Sequence, residues 1–432
     1  MGMRLTDRLD ARAARVSVLG QGYVGLTLAI RANEAGFAVT GFEPDPARLA
    51  SLLAGRSFVD DVDDEMLAYA LEHGYRPTGD EADLAGFDVA VIAVPTPLLE
   101  GRPDLRAIEL AAESVGRQLR RDALVVLEST TYPGTTVELL VPALEAASGL
   151  RAGIDFSVGY SPERIDPGNP THTLTTTPKI VSGIDARSLH AIEMFYGAFV
   201  DKLVPVGRPE EAELAKLLEN TFRHVNIALV NELAVFSHDL GVDLWAAIDA
   251  AATKPFGFMP FRPGPGVGGH CLPVDPSYLS WRVQRQTGEP FRFVELANEV
   301  NARMPDYVVR RIQEQLNEDG LAVRGARILL LGLAYKPGTG DLREAPSAPI
   351  VAGLRRLGAG VAAVDPHVLQ EGVVGGVEML PLNKAVLGAA DLVVIVTDHP
   401  SFDLDLVRRE ARRIFDARNA IGRVDDPGVE RL

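Results

Sequence analysis

Cysteine is almost absent: Cys271 is the single one in 432 residues. A lone thiol excludes an intrachain disulfide and fits a reducing compartment, so a cytoplasmic location is expected. Missing too is any uninterrupted apolar run of about 18 residues, and with it the expectation of a membrane-spanning helix. Residues 1–15 carry charges of both signs, without the apolar core of a secretory leader. Positive charge is in short supply as well. Lys and Arg total 43 against 59 Asp and Glu, a formal net charge of −16. That balance argues against nucleic acid or an anionic membrane surface as the main partner, though local basic pockets for phosphates remain compatible with it. No motif calls for a metal.

Hydrophobic residues make up 47% of the chain, enough for two or three cores. Arg15-Val-Ser-Val-Leu-Gly20 predicts a strand entering a glycine turn, and Tyr23 to Gly36 a helix closed by glycine. Further strands are expected at Phe37–Phe42, Asp88–Val94, Ala123–Leu127 and Phe156–Tyr160. Strand alternating with helix implies a parallel sheet covered on both faces. From Glu210 to Ala252, and again from Phe293 to Asn317, the pattern is helical. A fresh α/β block opens at Ala326-Arg-Ile-Leu-Leu-Leu-Gly332 and continues through a strand at Asp391–Thr397. Gly36-Phe-Ala-Val-Thr-Gly-Phe-Glu-Pro-Asp-Pro46 has a counterpart in Gly358-Ala-Gly-Val-Ala-Ala-Val-Asp-Pro366, so the last block partly repeats the first. The expected architecture is α/β: two Rossmann-like parallel-sheet domains, 1–207 and 319–432, joined by a central helical domain, 208–318.

Cys271 follows Phe261-Arg-Pro-Gly-Pro-Gly-Val-Gly-Gly-His270. Glycine is too permissive and proline too restricted for such a run to be regular helix or strand. A thiol presented on a loop reads as a nucleophile; the alternative is a small buried hydrophobe. Gly20-Gln-Gly-Tyr-Val-Gly25 follows a strand and opens a helix, and Glu43 ends the next strand. That context is what a dinucleotide site requires, with the helix N-terminus facing the pyrophosphate. A carboxylate at 43 accepts from a ribose 2′-hydroxyl and repels a 2′-phosphate, favouring NAD over NADP. Lys216 and Asn220 share one helix face, either as a solvated stripe or as a ligand site, with Asn226 and Asn231 further along among apolar residues. Ser161-Pro-Glu-Arg-Ile-Asp-Pro-Gly168 places Glu163, Arg164 and Asp166 at a strand end, for a ligand or for a surface ion pair. Glu128-Ser-Thr-Thr-Tyr-Pro-Gly-Thr-Thr136 could cap a helix or bind phosphate and ribose. Asp275 either tunes proton chemistry or caps the helix expected after it.

Taken in order, several motifs resemble the nucleotide-sugar 6-dehydrogenases, the UDP-glucose/UDP-N-acetylhexosamine dehydrogenase family. They are Gly20-Gln-Gly-Tyr-Val-Gly25, Val94-Pro-Thr-Pro97, Glu128-Ser-Thr-Thr131, Ser161-Pro-Glu163, Lys216 with Asn220, Gly268-Gly-His-Cys271, and Lys336 to Arg343. The resemblance implies an NAD-dependent enzyme of the EC 1.1.1 class that oxidises the C6 hydroxymethyl of a UDP-sugar to a carboxylate, for polysaccharide biosynthesis. Cys271 would carry a thiohemiacetal and then a thioester. Lys216 and Asn220 would stabilise the oxyanion, Asp275 would assist the first proton removal, Glu163 would help thioester hydrolysis, and Thr130 would position water. Gly20, Gly22, Tyr23, Val24, Gly25, Glu43, Arg48, Thr96 and Arg343 fall at positions the family uses around NAD. Arg164, Arg262, Gly268, Tyr335, Lys336 and Arg418 fall where it holds the UDP-sugar. The segment before Cys271 looks like the N-acetylhexosamine branch, and the stretches 161–169 and 272–279 lean toward UDP-N-acetylglucosamine. Alternatives are UDP-N-acetylmannosamine, UDP-glucose, or a two-electron hydroxyacid-type oxidation. Two departures stand out: Glu43 replaces a more usual Asp, and Gly332-Leu-Ala-Tyr-Lys-Pro-Gly338 lacks the dinucleotide pattern. A homodimer or higher oligomer through the helical middle is also implied.

Overall fold

The computed structural model describes residues 3–59, 61–166, 169, 171–269, 271–368, 375–424 and 426–432, without the side chain of Cys271. Pro167, Gly168 and His270 of the sequence motifs also lie outside the described residues. The chain packs as two compact units: Met1–Glu219 with Trp281–Thr287, and Asn220–Ser280 with Gly288–Leu432.

The first unit is built on a sheet of β1 (Arg15–Leu19), β2 (Ala38–Phe42), β3 (Tyr75–Thr78), β4 (Val89–Ile92), β5 (Leu124–Leu127), β6 (Ser157–Tyr160), β7 (Lys179–Gly183) and β8 (Leu203–Pro205). Its order is β8-β7-β6-β5-β4-β1-β2-β3. Side chains alternate between faces along a strand, and here both faces are dry. Val89 and Val91 of β4 join one apolar cluster with Val16, Leu26 and Phe195. Ala90 and Ile92 join the other, with Ile108, Val125 and Phe156. Helices α1 (Tyr23–Glu34), α2 (Pro46–Leu53), α3 (Arg106–Gln118), α4 (Val141–Ser148) and α5 (Ala186–Tyr196) lie between the strands in the chain. The start of α2 shows why it begins there: the Asp45 carboxylate accepts from the backbone N–H of Ala47 and Arg48, both at 2.9 Å, and Pro46 occupies the first helical position. The sheet departs from the all-parallel expectation at one pair. β6 and β7 run antiparallel, with Gly159 opposite Gly183. A Cβ on Gly159 would lie 2.2 Å from the Ser182 carbonyl oxygen, so the reversal needs glycine there.

The second unit carries a sheet of β9 (Arg327–Leu331), β10 (Gly360–Val364), β11 (Glu378–Met379), β12 (Leu392–Ile395), β13 (Ile414–Asp416) and β14 (Val429–Arg431), in the order β11-β10-β9-β12-β13-β14. All of these pairs are parallel. The same alternation splits Ile328 and Leu330 from Leu329 and Leu331 into two apolar clusters. Helices α6 (Pro209–Asp239) and α8 (Cys271–Thr287) contribute residues to both units, while α7 (Leu244–Ala252), α9 (Arg292–Glu318) and α10 (Ser347–Arg356) belong to the second. On α9, Ala297, Asn301, Met304, Val308 and Ile312 recur every three or four residues and are buried. Gly353 of α10 lets the helices close: its missing Cβ would sit 3.0 Å from Val309 Cγ2. Among the described residues no helix is long and apolar enough to cross a membrane.

One element begins earlier than the sequence suggested. Helix α8 starts at Cys271 itself, so the cysteine opens a helix rather than sitting inside the glycine-proline loop, and Asp275 lies in that helix rather than capping it. Pro273 is in the first turn, where a missing N–H is harmless, and Pro276 removes only the donor that would reach the Leu272 carbonyl. Two prolines so close to a helix start therefore disguise it.

Phe195 of α5 is fully buried, with ring centroids 5.9 Å from Phe37, 4.9 Å from Tyr196 and 5.3 Å from Phe199. Phe195→Ala is expected to cost the first unit about 3–5 kcal/mol through the cavity it leaves. A urea titration would show this as a lower midpoint for that unit.

Candidate active site

In both sheets the strand order reverses beside the first strand of the block, at β1–β4 and at β9–β12. Ligands of open α/β sheets bind at such points, beyond the carboxyl ends of the strands. In the first unit the turn after β1 holds the motif residues. Gly20 has φ +88°, and a Cβ there would lie 2.6 Å from the Ala93 carbonyl oxygen. A Cβ on Gly25 would lie 1.8 Å from the Gly20 oxygen. A Cβ on Gly22 would meet nothing within 4 Å. The first and last glycines are thus required by the protein's own packing, and the middle one faces open space. That space is a cavity of about 360 Å3 lined by Gly22, Tyr23, Ala47, Arg48, Ser51, Phe58 and Val59. The Arg48 guanidinium lies 5.5 Å over the Phe58 ring. Helix α1 starts at Tyr23 with Gly22 as its cap and no side-chain capping bond, so its first turn offers backbone donors to an anion.

Glu43 closes this turn. Its carboxylate accepts from Gln21 N at 3.1 Å and from Asp45 N at 3.0 Å, one bond per oxygen. Each oxygen keeps a further lone pair, so a ribose hydroxyl remains a possible donor. These residues fit NAD: an open glycine face, an uncapped helix start, an arginine at the cavity wall and a carboxylate beside the turn. The Thr96 hydroxyl donates to the Thr130 carbonyl at 2.9 Å, joining two of the expected site residues. The Ser/Thr stretch around them is largely consumed internally. Ser129 Oγ donates to Val94 O at 2.8 Å, while Glu213 of α6 accepts from Gly134 N at 2.6 Å and from Thr136 N at 2.9 Å. A larger cavity, about 540 Å3, is lined by Glu109, Tyr132, Glu138 and Arg282 among others, none of them an expected site residue.

At the far side of the same sheet lies a buried acid–base cluster. Lys179 Nζ donates to Glu128 Oε1 at 2.5 Å, and Glu128 Oε2 accepts from Tyr196 OH at 2.7 Å. Glu163 Oε2 is 3.7 Å from the same ammonium. Burial pushes the Glu128 carboxyl up and Lys179 draws it back, leaving it above the ordinary carboxylate range. Arg164 points elsewhere: Nη1 donates to Pro178 O at 2.6 Å, and Nη2 pairs with Glu219 at 2.6 Å. Lys216 is buried on α6.

In the second unit Asn220 Nδ2 donates to Asp275 Oδ2 at 2.5 Å. Asp275 is buried, four residues into the helix that Cys271 opens. The preceding glycines are explained by neighbours within the unit. A Cβ on Gly268 would lie 2.7 Å from Tyr335 Cβ and from the Glu344 oxygen, and one on Gly269 would lie 2.8 Å from the Tyr335 ring. Gly269 N donates to the Arg343 carbonyl at 2.9 Å. Gly264 N donates to Asn231 Oδ1 at 2.9 Å, and a Cβ there would lie 2.7 Å from Arg418 Nη1. Arg418 Nε donates to Val396 O at 2.8 Å, and burial pulls its guanidinium down from its ordinary value. Lys336 Nζ lies 5.9 Å from the Tyr335 ring centroid. Arg262 is engaged away from this group, with Asp249 and over the Trp245 ring. Arg343 forks onto Asp341 at 2.5 Å.

The turn after β9 repeats the first with different chemistry. Gly332 has φ +83°, and a Cβ would lie 2.4 Å from the Thr397 oxygen. Asp365, the counterpart of Glu43, accepts from Leu333 N at 2.7 Å and Ala334 N at 3.1 Å through Oδ2, and from His367 N and Val368 N through Oδ1. His399 Nε2 lies 3.1 Å from Asp365 Oδ2, and Gly338 N donates to His399 Nδ1 at 3.1 Å. The proton of the neutral ring therefore sits on Nε2. This turn is closed by side chains where the first leaves an open glycine.

Comparison with known proteins matches that contrast between the two turns. The UDP-glucose/GDP-mannose dehydrogenase family matches with its NAD binding domain over residues 14–200, its central domain over 210–303 and its UDP binding domain over 329–423. The chain belongs to this family. It is an NAD-dependent dehydrogenase. A UDP-N-acetyl-D-mannosamine dehydrogenase of Pyrococcus horikoshii is 37% identical over 414 residues, 94% of this chain and 96% of that protein. A UDP-N-acetyl-D-glucosamine 6-dehydrogenase of Pseudomonas aeruginosa is 37% identical over 390 residues, 90% of this chain and 91% of that protein. The solved structure of the UDP-D-ManNAc dehydrogenase from Pyrococcus horikoshii superposes with a TM-score of 0.87 at 34% identity, covering 97% of this chain and 99% of that one.

Sequence reasoning missed several residues of the dehydrogenase that hold these groups. Lys179 and Tyr196 had one signal, a lone lysine heading an otherwise apolar strand, Lys179-Ile-Val-Ser-Gly183, while Glu128 headed a quoted motif without being given a role. Asn231 was flagged only as polar among apolar neighbours. It donates to Asn301 at 2.9 Å, and Asn301 in turn contacts His224. Glu213 and His399 carried no local pattern at all.

Gly25→Ala is expected to weaken NAD binding at least about tenfold, because a methyl 1.8 Å from the Gly20 oxygen must move the turn. Fluorescence titration with NAD measures it. Asp365 supplies a pH prediction. Burial raises its carboxyl, but His399 and the backbone donors more than offset this and hold it at about 2. A carboxyl depressed in the folded state adds stability above its unfolded value near 4, and that stability is lost as pH falls toward about 2. Urea midpoints of the second unit should fall across that window, and Asp365→Asn should flatten the slope.

Proposed function

We propose that this dehydrogenase oxidises the C6 hydroxymethyl of a UDP-N-acetylhexosamine to the uronic acid, with UDP-N-acetylglucosamine favoured. The observation that carries the reading is the Asn220–Asp275 hydrogen bond, which sets an amide donor of α6 against a carboxylate on the helix that Cys271 begins. Support for the sugar class comes from the two relatives named for UDP-N-acetylhexosamines at 37% identity. The stretches 161–169 and 272–279 are the basis for preferring the gluco sugar. A division into domains 1–207, 208–318 and 319–432 goes with this reading, the first for NAD and the last for the UDP-sugar.

When bound, NAD accepts a hydride in each of two oxidations. Asp275, directly or through water, assists removal of the C6 hydroxyl proton, and Lys216 and Asn220 stabilise the developing oxyanion. The resulting aldehyde has no hydride to give until a nucleophile adds. The Cys271 thiolate forms a C–S bond to C6, and the carbonyl oxygen takes a proton, giving a thiohemiacetal. The first turn of a helix favours a thiolate, which suits a cysteine at the first helical position. Loss of the second hydride and the hydroxyl proton leaves a thioester. Water then attacks C6, with Glu163 accepting its proton and Thr130 helping to place it, and the C–S bond breaks to return the thiol. Four electrons leave the sugar and one water oxygen enters it. Gly268, Tyr335, Lys336, Arg418, Arg164 and Arg262 are assigned to the UDP-sugar, and Arg343 to NAD.

The test is a panel of UDP-N-acetylglucosamine, UDP-N-acetylmannosamine, UDP-N-acetylgalactosamine and UDP-glucose, read at 340 nm. About two NADH per sugar are expected from the favoured substrate. Cys271→Ser should abolish acid formation, and acid formed by this variant at a near-normal rate would sink the covalent route.

The reading also includes a dimer through the helical middle. On α6, Phe222, Leu229, Leu233 and Phe236 are exposed at 41–55% and recur at three-, four- and seven-residue intervals. Such a stripe is larger than scattered surface apolar residues account for. Light scattering should give a dimer mass for the unaltered chain and a shift toward monomer for Phe236→Glu.

A further inference from the structure

Glu163 has an unusual division of labour between its two oxygens. Oε1 accepts from the backbone N–H of Arg164 at 2.5 Å and from that of Ile165. Oε2 is buried and accepts no hydrogen bond, with the Lys179 ammonium 3.7 Å away. One oxygen is therefore anchored, and the other keeps its lone pairs for a proton. Lys179 also donates to the carbonyl of Pro162 at 3.4 Å, so it holds the loop on both the main-chain and the side-chain side of Glu163.

Lys179 is itself immobilised. Glu128 Oε1 accepts from it at 2.5 Å, Tyr196 OH fixes the other Glu128 oxygen at 2.7 Å, and the ammonium lies 4.8 Å from the Tyr196 ring centroid. Burial opposes the Lys179 charge, yet Glu128 and Glu163 more than offset it, so the group is held above its ordinary value and stays charged. A buried ion pair contributes little net stability against apolar residues of similar volume, because both charges leave water. Two carboxylates, one ammonium and a phenol buried at the end of a sheet need another reason.

We propose that Lys179, braced by Glu128 and Tyr196, is a positioning residue for Glu163, keeping Oε2 free and oriented to take the proton of the water that hydrolyses the thioester. The inference rests on the hydrolytic role given to Glu163 above. In that step water adds its oxygen to C6, its proton passes to Glu163, and the cysteine sulfur leaves. Lys179 makes no bond to any reacting atom.

The test uses the full-length enzyme with NAD and the UDP-sugar that the panel selects. NADH release is followed alongside intact mass, which detects an acyl group retained on the protein. Four variants are compared: Glu163→Gln, the double variant Glu128→Gln/Lys179→Met, Tyr196→Phe and Lys179→Arg. The double variant removes the Glu128–Lys179 ion pair as a unit and leaves the Glu163 carboxylate held by its two backbone donors alone. It is expected to lower kcat about tenfold or more with KM unchanged, and to accumulate the acyl-enzyme as Glu163→Gln does. Lys179→Arg should restore most of the rate, and Tyr196→Phe should show a smaller rise in acyl-enzyme. If Glu163→Gln accumulates acyl-enzyme while the folded double variant turns over normally, the positioning role is overturned and the Glu163 reading stands. If Glu163→Gln itself turns over without acyl-enzyme, the hydrolytic reading falls and this proposal with it. Should the double variant not fold, an unchanged acyl-enzyme level in Tyr196→Phe overturns the proposal.

Discussion

A single carboxylate at the end of the second strand of each sheet sets the geometry on which both halves depend. Glu43 ties the turn after β1 through Gln21 N, and Asp365 ties the turn after β9 through Leu333 N and Ala334 N. Each turn opens on a glycine at positive φ whose missing Cβ lets the neighbouring strand end approach within contact distance. The interaction is charge-assisted and buried, and it fixes a backbone that would otherwise be the loosest part of the sheet's ligand edge. What differs is the outer side. The first turn leaves Gly22 facing a cavity beside an uncapped helix start, while the second is filled by His399 bridging Asp365 to Gly338. One design, twice used, yields a place for a dinucleotide and a place that takes something else.

The extra methylene of Glu43 has a structural meaning in this light. Aspartate in the second copy spends its oxygens on four backbone donors and a histidine. Glutamate in the first copy spends one bond per oxygen, keeping capacity for a ligand hydroxyl. Length and hydrogen-bond count thus change together, one copy committed to structure and the other still able to bind.

Much of this was legible in the chain. Strands with both faces apolar, the glycine turn and the repeat at Gly358–Pro366 all rest on local periodicity and turn chemistry, which is where sequence is most informative. The start of α8 was not legible, because Pro273 and Pro276 look like helix breakers although the first turn tolerates them. The antiparallel β6–β7 pair escaped for a different reason. Its direction depends on glycine contacts between Gly159 and Ser182, residues 23 apart, and no local pattern marks them. Nor could Glu128, Lys179 and Tyr196 be joined from sequence, since their partnership is made by three separate strands and helices meeting in the core.

The glycine run before Cys271 changes meaning once its neighbours are known. Read alone, it is an irregular loop that presents a nucleophilic thiol. In the fold, Gly268 and Gly269 admit Tyr335 and the 343–344 backbone, and Gly264 admits Arg418. Close packing of this sort fixes where α8 begins, and so where Cys271 and Asp275 lie along it. A residue larger than glycine at 268 would push Tyr335 and the helix start apart together. The segment therefore couples the position of the first helical residue to Tyr335 and Arg418, two groups assigned to the sugar nucleotide. In a loop that looked permissive, the glycines at 264, 268 and 269 serve contact more than freedom.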